Sequence, residues 1–201
     1  MIAQGGVAGG HAHRRHPAFG LAGQILVQTD LPVVISGGIA TGEGRAAALV
    51  IGADGVQCGT AFLATRESFA HPYHKSRIRA AVGDNTVLTD IFVLNLPKGA
   101  AVRVIGDNVT EWLNGNYLGH DPDSLPRKAI ARDGDQPRLR FSTDSPLRTT
   151  TGDLEAMALY AGQGAGALND VLPAAARLAD MVSQARHILE GTVQNGFKAM
   201  S

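Results

Sequence analysis

The sequence predicts an α/β protein with a parallel sheet. Two short runs, Leu31–Ser36 and Asp54–Gly59, are typical of strands, and the first is almost wholly apolar and β-branched, as in a strand covered on both faces. Between them, Arg45–Ile51 is an alanine-rich helical segment, with Thr41 as its predicted N-cap and Gly52 at its end. Strand, helix and strand at this spacing form a βαβ unit, which requires parallel strands.

The rest of the chain is predicted to add elements on both sides of this unit. In chain order they are a strand at Met1–Gln4, a helix at Ala18–Gln28, a loop and helix within Glu67–Val82, a strand at Thr86–Leu94, a helix at Val102–Leu113 with Trp112 as a core residue, a loop at Arg132–Leu147, and an amphipathic helix at Leu172–Glu190 ended by Gly191. We therefore expect a βα part over residues 1–94, a small irregular or helical segment over 95–150, and a late motif with a helix that packs back over 151–201.

The composition excludes several classes of function. The 201 residues carry 18 Lys plus Arg against 18 Asp plus Glu, so no basic field exists to bind nucleic acid. No run of about 20 apolar residues occurs, which predicts that no segment spans a membrane. Cys58 is the single cysteine, which excludes an internal disulfide and suits a reducing compartment. We therefore expect a cytoplasmic protein.

Glycine is clustered where the predicted strands end. Of the 25 glycines, groups follow Gln4 and Ser36, and Gly59, the last of the cluster Gly52, Gly55 and Gly59, follows Gln57. Loops at the carboxyl ends of parallel strands face one site, and a residue without a Cβ lets the backbone approach a ligand. Gly37–Gly38 precedes a helix start, and Gly59–Thr60 follows one βα unit later, which favours a phosphate-bearing ligand over turn chemistry alone.

Three histidines lie in the loop that follows the first strand. His11 directly follows Gly9–Gly10, and imidazole is the side chain whose proton equilibrium lies nearest neutrality, which suits proton transfer. With His13 and His16 it also suggests a metal site, although no acidic residue or cysteine in the loop completes a ligand set. A solvated polar loop is the third interpretation, and the residues alone leave all three open. Cys58, within a strand, is expected to be an inert thiol.

Four segments together resemble the nitronate monooxygenases and the related flavin-dependent enoyl-ACP reductases. They are AQGGVAGGH at Ala3–His11, PVVISGGIATGEG at Pro32–Gly44, GADGVQCGTAFLATRES at Gly52–Ser68 followed by AHPYHK, and YAGQGAG at Tyr160–Gly166. The resemblance is dense over residues 3–75, thin over 95–150, and recovers at 153–190.

The resemblance implies a TIM-type β/α barrel that binds FMN and oxidises alkyl nitronates with molecular oxygen. In this chain His11 would be the catalytic base, and no metal is implied. The cofactor-binding residues would be Gln4, Gly9, Gly10, Gly37, Gly38, Gln57, Cys58, Gly59 and Thr60. Val7, where the family often has glutamate, is a departure within the first loop.

A complete barrel of this kind has eight strands and about 250 residues. The resemblance therefore implies a partial barrel, with its C-terminal strands only and a helical C-terminal extension. The predicted partners are the nitronate, molecular oxygen, and either a second copy of this chain or a separate chain that carries the first half of the barrel. The alternatives to a nitronate monooxygenase are an enoyl-ACP reductase-like enzyme and a non-catalytic fragment of a split or truncated gene.

Overall fold

The chain forms a mixed α/β fold, seen here in a computed structural model that describes residues 1–12, 16–82 and 85–199. The strands are β1 (Ile2–Gln4), β2 (Gly10–His11), β3 (Val34–Ser36), β4 (Gly55–Gln57), β5 (Thr86–Thr89), β6 (Val102–Ile105), β7 (Ala129–Asp133), β8 (Gln136–Leu139) and β9 (Thr150–Gly152). The α-helices are α1 (Ala18–Leu26), α2 (Gly42–Val50), α3 (Thr60–Leu63), α4 (Pro72–Arg79), α5 (Asn108–Trp112) and α6 (Ala174–Ala199). Short 3-10 helices occupy Pro122–Ser124, Leu154–Ala156 and Gln163–Ala167.

Strands β1, β3 and β4 form the predicted parallel sheet, with β3 in the centre. Helix α2 connects β3 to β4, begins at the predicted N-cap Thr41, whose side chain accepts the Gly44 amide, and is followed by Gly52 at φ +100°. Ala3 and Ile35 are fully buried, because α1 and α2 cover the sheet. The βαβ prediction is therefore confirmed.

Two further sheets are antiparallel. Strand β6 lies between β2 and β5, and β7 lies between β8 and β9. The three described sheets are small and open, so a partial barrel stays a prediction from the resemblance. Strands β5 and β6 pair with each other across the boundary predicted at residue 95.

Several predicted elements are wrong in the middle of the chain. Val102–Ile105 is a strand and not the start of a helix, because Val102, Val104 and Ile105 are β-branched and buried, and Asp107 caps a separate helix. The strand predicted at Thr86–Leu94 ends at Thr89. The loop predicted at Arg132–Leu147 contains β8 and the end of β7.

Two predictions about helices also need correction. Trp112 is 70% exposed and is not a core residue, because the buried face of the short helix α5 is formed by Val109 and Thr110. Helix α6 continues through Gly191 to Ala199, so this glycine does not end it. No helix among the described residues combines the length and the apolar character that a membrane crossing needs.

Two clusters of buried hydrophobic residues form the core. The first joins the parallel sheet to α1, α2 and α6, and the second lies between β6, α5 and the β7–β8 hairpin. Ile35 and Met181 belong to the first cluster, while Phe92 and Phe141 belong to the second. The candidate site lies where segments of both parts of the molecule meet.

Candidate active site

Three polar side chains mark the carboxyl ends of the parallel strands. The register pairs Gln4 with Ser36 and Ser36 with Gln57, so the three residues form one row across β1, β3 and β4. Because the strands are parallel, the loops that follow them leave from the same edge of the sheet. The sequence folds this way because each short apolar strand stops at a glycine-rich segment.

A cavity of about 210 Å³ lies at this edge. Its walls come from the loops after all three strands and from the segment before and within the 3-10 helix at Gln163–Ala167. The lining residues are Gln4, Ala8, Gly9, Ser36, Gly37, Gly38, Ile39, Ala40, Gln57, Gly59, Thr60, Leu63, Tyr160, Gly162 and Gly164. None of these residues carries a formal charge at neutral pH.

The cavity contains seven of the ten predicted site residues, namely Gln4, Gly9, Gly37, Gly38, Gln57, Gly59 and Thr60. The structure thus brings together the three loops that the glycine clusters marked. Gly10, His11 and Cys58 lie outside the lining. Whether any of these residues touches a cofactor stays a prediction.

His11 lies beside the cavity. Its main chain pairs with Val102 of β6, its carbonyl accepts a hydrogen bond from Gln4 Nε2 at 2.8 Å, and its side chain is exposed. The centroid of the imidazole ring is 6.2 Å from that of Tyr160, which lines the cavity. Gly10, at φ +77°, directs the chain from the glycine loop into β2.

Cys58 is directed towards the core and not towards the cavity. Its side chain is half-buried against the first hydrophobic cluster, and burial raises the pKa of the thiol. The thiol is therefore protonated at neutral pH, in agreement with the expected inert role. If residue 58 contacts a ligand at the cavity, it does so through its main chain.

The metal interpretation of the histidine loop finds no support in the described residues. Within them, no group of three or more His, Cys, Asp or Glu side chains could hold a metal ion. His16 is exposed, and its carbonyl accepts the Gly6 amide at 2.9 Å. His13 lies outside the described residues.

Several amides at the cavity are free to bind an anion. In the described part of the chain, the N–H groups of Gly38, Gly59 and Thr60 donate to no protein acceptor. The Thr60 hydroxyl accepts the Gly162 N–H at 2.9 Å and keeps its own hydrogen for another acceptor. Residues with unpaired amides that line an uncharged cavity can bind phosphate without a basic side chain.

The glycines here serve packing as well as access. A Cβ on Gly9 would lie 2.6 Å from the carbonyl carbon of Ala161, and a Cβ on Gly164 would lie 2.6 Å from the carbonyl oxygen of Gly38. By contrast, a Cβ on Gly59 would meet no atom within 4 Å. The loops therefore touch each other backbone to backbone, while Gly59 faces open space.

Sequence reasoning missed the contribution of the late motif to this cavity. Tyr160, Gly162 and Gly164 lie in a segment that carries the resemblance, and no site role was predicted for them. Their place depends on long-range contacts, such as the hydrogen bond from the Gln163 amide to the Val7 carbonyl at 3.0 Å. The available signal was the density of small residues in YAGQGAG, which allows the close approach to the first loop.

The sequence is similar to those of known proteins. The family model for nitronate monooxygenase matches residues 1–184. A probable nitronate monooxygenase of Staphylococcus haemolyticus is 36% identical over 132 residues, which cover 61% of this chain and 35% of the relative. One from Staphylococcus aureus (strain Newman) is 34% identical over 169 residues, covering 75% of this chain and 46% of the relative.

Two solved structures are also similar. FabK from Thermotoga maritima superposes with a TM-score of 0.73 at 27% identity, over 96% of this chain and 56% of that one. Nitroalkane oxidase from Streptomyces ansochromogenes gives a TM-score of 0.67 at 30% identity, over 94% of this chain and 52% of that one. The chain thus spans about half the length of these proteins or less. Because the family model covers most of the chain, including every segment that lines the cavity, this protein belongs to the nitronate monooxygenase family.

Proposed function

We propose that this chain carries the phosphate-binding end of an FMN site and the catalytic histidine of an enzyme that oxidises alkyl nitronates with molecular oxygen. One observation carries the proposal. Three loops that follow neighbouring parallel strands place unpaired amides of Gly38, Gly59 and Thr60 around one uncharged cavity, with His11 beside it.

The cavity fits the phosphate end of such a cofactor. Among the described residues no carboxylate lines it, so a phosphate dianion meets no repulsion from these side chains, and the free amides supply donors. The volume of about 210 Å³ is below the ~300–1,000 Å³ that encloses a whole drug-sized ligand. We therefore assign the phosphate and the adjoining ribityl chain to this cavity.

The roles of the residues follow from their place. Gly38, Gly59 and Thr60 bind phosphate oxygens through the main chain, and the side-chain amides of Gln4 and Gln57 are available to polar groups further along the cofactor. When bound, the flavin supplies the electron transfer that no protein side chain can perform.

His11 is proposed as the general base. Its exposed imidazole accepts the proton from the carbon next to the nitro group when the substrate arrives as the neutral nitroalkane. Pairing of its main chain with β6 and the hydrogen bond from Gln4 hold the residue in place at the cavity rim. Proton transfer by a positioned side chain contributes a factor of about 10²–10⁴ to the rate.

A reductase is the second candidate, because the same four segments also resemble the flavin-dependent enoyl-ACP reductases. The two functions differ in what reduces the flavin. Oxygen consumption with a primary nitronate, without a nicotinamide cofactor, supports the monooxygenase. Reduction of the flavin by NADH or NADPH supports the reductase.

Binding of FMN tests the proposal first. We expect the purified chain to quench the fluorescence of added FMN and to shift its absorption between about 350 and 500 nm, the window set by flavin absorbance.

Gly59→Leu places a side chain in open space at the cavity and should weaken binding of FMN more than tenfold. Gly20→Leu is the matched control, since Gly20 is an exposed glycine of α1 with no atom within 4 Å of its Cβ position. Failure of the parent chain to bind FMN would overturn the proposal.

A further inference from the structure

Helix α6 contacts helix α2 at the point where α2 begins. The side-chain oxygen Oε1 of Gln184 accepts a hydrogen bond from the Gly42 amide at 3.1 Å, across 142 residues of sequence. Gly42 is buried, and a Cβ at this position would collide with the Cβ of Gln184 and would lie 2.9 Å from the amide nitrogen of Ala185. The close approach of the two helices therefore leaves no room for a side chain on the first residue of α2.

Side-chain acceptors are present for each of the first three amides of α2. The Thr41 hydroxyl accepts from the Gly44 amide at 3.4 Å. Hydrogen bonds from its own amide and from the Thr41 hydroxyl lower the pKa of the Glu43 carboxyl. These two acceptors belong to the α2 segment itself, so they stabilise the start of the helix without fixing its place in the molecule. Of the three acceptors, Gln184 is the one that comes from a different element.

The segment immediately before this contact, Gly37–Ala40, leads from β3 to α2 and lines the cavity with all four of its residues. Gly37 and Gly38 have φ values of +112° and +72°, which few other residues adopt. In the described part of the chain, the main chain of Gly38, Ile39 and Ala40 makes no hydrogen bond. The position of the Gly38 amide therefore depends on packing and on the two ends of the segment, which are β3 and the start of α2.

Gln184 itself is exposed, whereas Met181 and Ala185 on either side of it are buried against the core. A substitution at position 184 can therefore remove the hydrogen-bond acceptor without opening a cavity in the core. This separation makes the contribution of the hydrogen bond to the cavity measurable by itself.

We propose that Gln184 is a positioning residue for the phosphate group of the bound flavin. It holds the first amide of α2, and α2 in turn fixes the segment Gly37–Ala40 and the Gly38 amide at the phosphate end of the cavity. This inference rests on the proposed function for the identity of the ligand. It adds that α6, none of whose described residues lines the cavity, controls the affinity for the phosphate group.

FMN and riboflavin provide the test, because they share the ring system and the ribityl chain and differ in the phosphate. The ratio of their dissociation constants, measured by quenching of flavin fluorescence, reports the contribution of the phosphate. Gln184→Met keeps the length of the side chain and removes the acceptor. We expect this variant to lower the preference for FMN over riboflavin about fivefold, while its affinity for riboflavin stays within about twofold of the parent.

Three further variants control this measurement. Gln184→Glu keeps an oxygen that accepts from the Gly42 amide, and it should restore the preference of the parent in about 0.5 M salt, which screens the added charge. Gln24→Met makes the same substitution at an exposed position of α1 and should change neither dissociation constant. Gln184→Ala is a second variant without an acceptor. Circular dichroism establishes which of the Met and Ala variants is folded, and either one suffices.

The outcomes separate this inference from the proposed function. An unchanged preference for FMN in a folded Met or Ala variant, or an equal loss of both flavins, overturns the positioning role and leaves the flavin site standing. Failure of Gln184→Glu to restore the preference, or equal affinity of the parent chain for the two flavins, also overturns the positioning role.

Inorganic phosphate is the second probe, titrated against the NMR signal of the Gly38 amide. A parent chain that binds phosphate but neither flavin overturns the proposed function. In that case an affinity for phosphate about fivefold lower in Gln184→Met keeps the positioning role, and an equal affinity overturns it. If the parent chain binds neither flavin nor phosphate, the inference and the proposed function are both wrong.

Discussion

Two regions of the molecule build the candidate site in different ways. The parallel-sheet region, residues 1–63, contributes mainly main-chain groups and glycines, such as the amides of Gly38 and Gly59. The network region, residues 71–160, contributes polar side chains, such as the buried His74 and Asp107 and the half-buried Arg103. One region depends on close backbone contact and the other on hydrogen bonds in a low-dielectric interior.

This difference determines how each region can fail. A backbone contact between glycines leaves no room for a methyl group, so it is sensitive to volume and insensitive to pH. A buried polar side chain tolerates small changes in volume but responds strongly to protonation or to the loss of a partner. The predictions below test this contrast.

The largest effect is expected for Gly9→Ala. The new Cβ would lie 2.6 Å from the carbonyl carbon of Ala161 and from the amide nitrogen of Gly162, and both are backbone atoms that cannot turn aside. Overpacking of this kind costs about 3 kcal/mol when the neighbours are rigid. Urea denaturation should show that loss of stability, and binding of FMN should weaken with it.

Two alanine variants serve as controls for Gly9→Ala. Gly59→Ala adds a Cβ with no atom within 4 Å at a backbone φ of −85°, so its stability should stay within about 0.5 kcal/mol of the parent. Gly20→Ala, in the exposed part of α1, should add about 0.5–1 kcal/mol. Equal stability of the Gly9 and Gly59 variants would show that the loop at Gly9 does not touch the segment at Ala161 and Gly162.

The next effect concerns pH and two groups in the network region. Burial lowers the pKa of His74 from 6.5 to about 4, so the unfolded chain takes up a proton between these values and stability falls as the pH falls. Burial raises the pKa of Asp107 from 3.8 to about 6, and its Oδ2 has no hydrogen-bond partner in the described part of the chain. The folded chain holds that proton between these values, so stability rises as the pH falls.

The effects of His74 and Asp107 on the pH dependence of stability are opposite and nearly cancel between about pH 4 and pH 6. A variant that removes one of the two groups should reveal the effect of the other. Asp107→Asn keeps an oxygen to cap α5. Between pH 6 and pH 4 the free energy of unfolding of this variant should fall by about 2 kcal/mol more than that of the parent. His74→Gln can replace both hydrogen bonds of the imidazole, with the carbonyl of Tyr160 and the hydroxyl of Ser145. Over the same pH interval its free energy of unfolding should rise by about the same amount relative to the parent. Urea denaturation at pH 4, 5, 6 and 8 measures these differences. Parallel curves for all three proteins would contradict the assignment.

The contrast between the regions also explains what the sequence could predict. Strands β3 and β4 with helix α2 were found because their signals are local: an apolar run, an N-cap at Thr41, and glycine at each end. Seven predicted residues line the cavity because main-chain sites are marked by glycine within the same few residues. In the network region the determining contacts join residues far apart, such as His74 with Tyr160, and no local pattern marks them.

Strand β6 shows the same limit in detail. Its sequence, VRVI, is short and follows a proline-punctuated stretch, and a helix was predicted over it. It forms a strand because β5 and β2 pair with it on either side. Strand β2 belongs to the histidine loop, and its residue His11 pairs with Val102, which lies 91 residues later in the sequence. Propensity over a few residues cannot reveal partners at that distance.

Arg103 links the two regions and carries the smallest predicted effect. From β6, its Nε donates to the Gly6 carbonyl at 2.9 Å and its Nη1 to Thr86 Oγ1 at 3.0 Å. Arg103→Met keeps the length of the side chain but leaves the glycine-loop carbonyl without this donor, at a cost of about 1–2 kcal/mol. Because the loss is local, amide hydrogen exchange should accelerate most in residues 5–12, with little change in β3 and β4.

Arg79→Met, at an exposed site on α4, is the matched control and should leave exchange in residues 5–12 unchanged. A uniform acceleration across the chain would mean that Arg103 stabilises the whole fold, whereas confinement to the loop would show that a side chain of the network region holds the histidine loop against the parallel sheet.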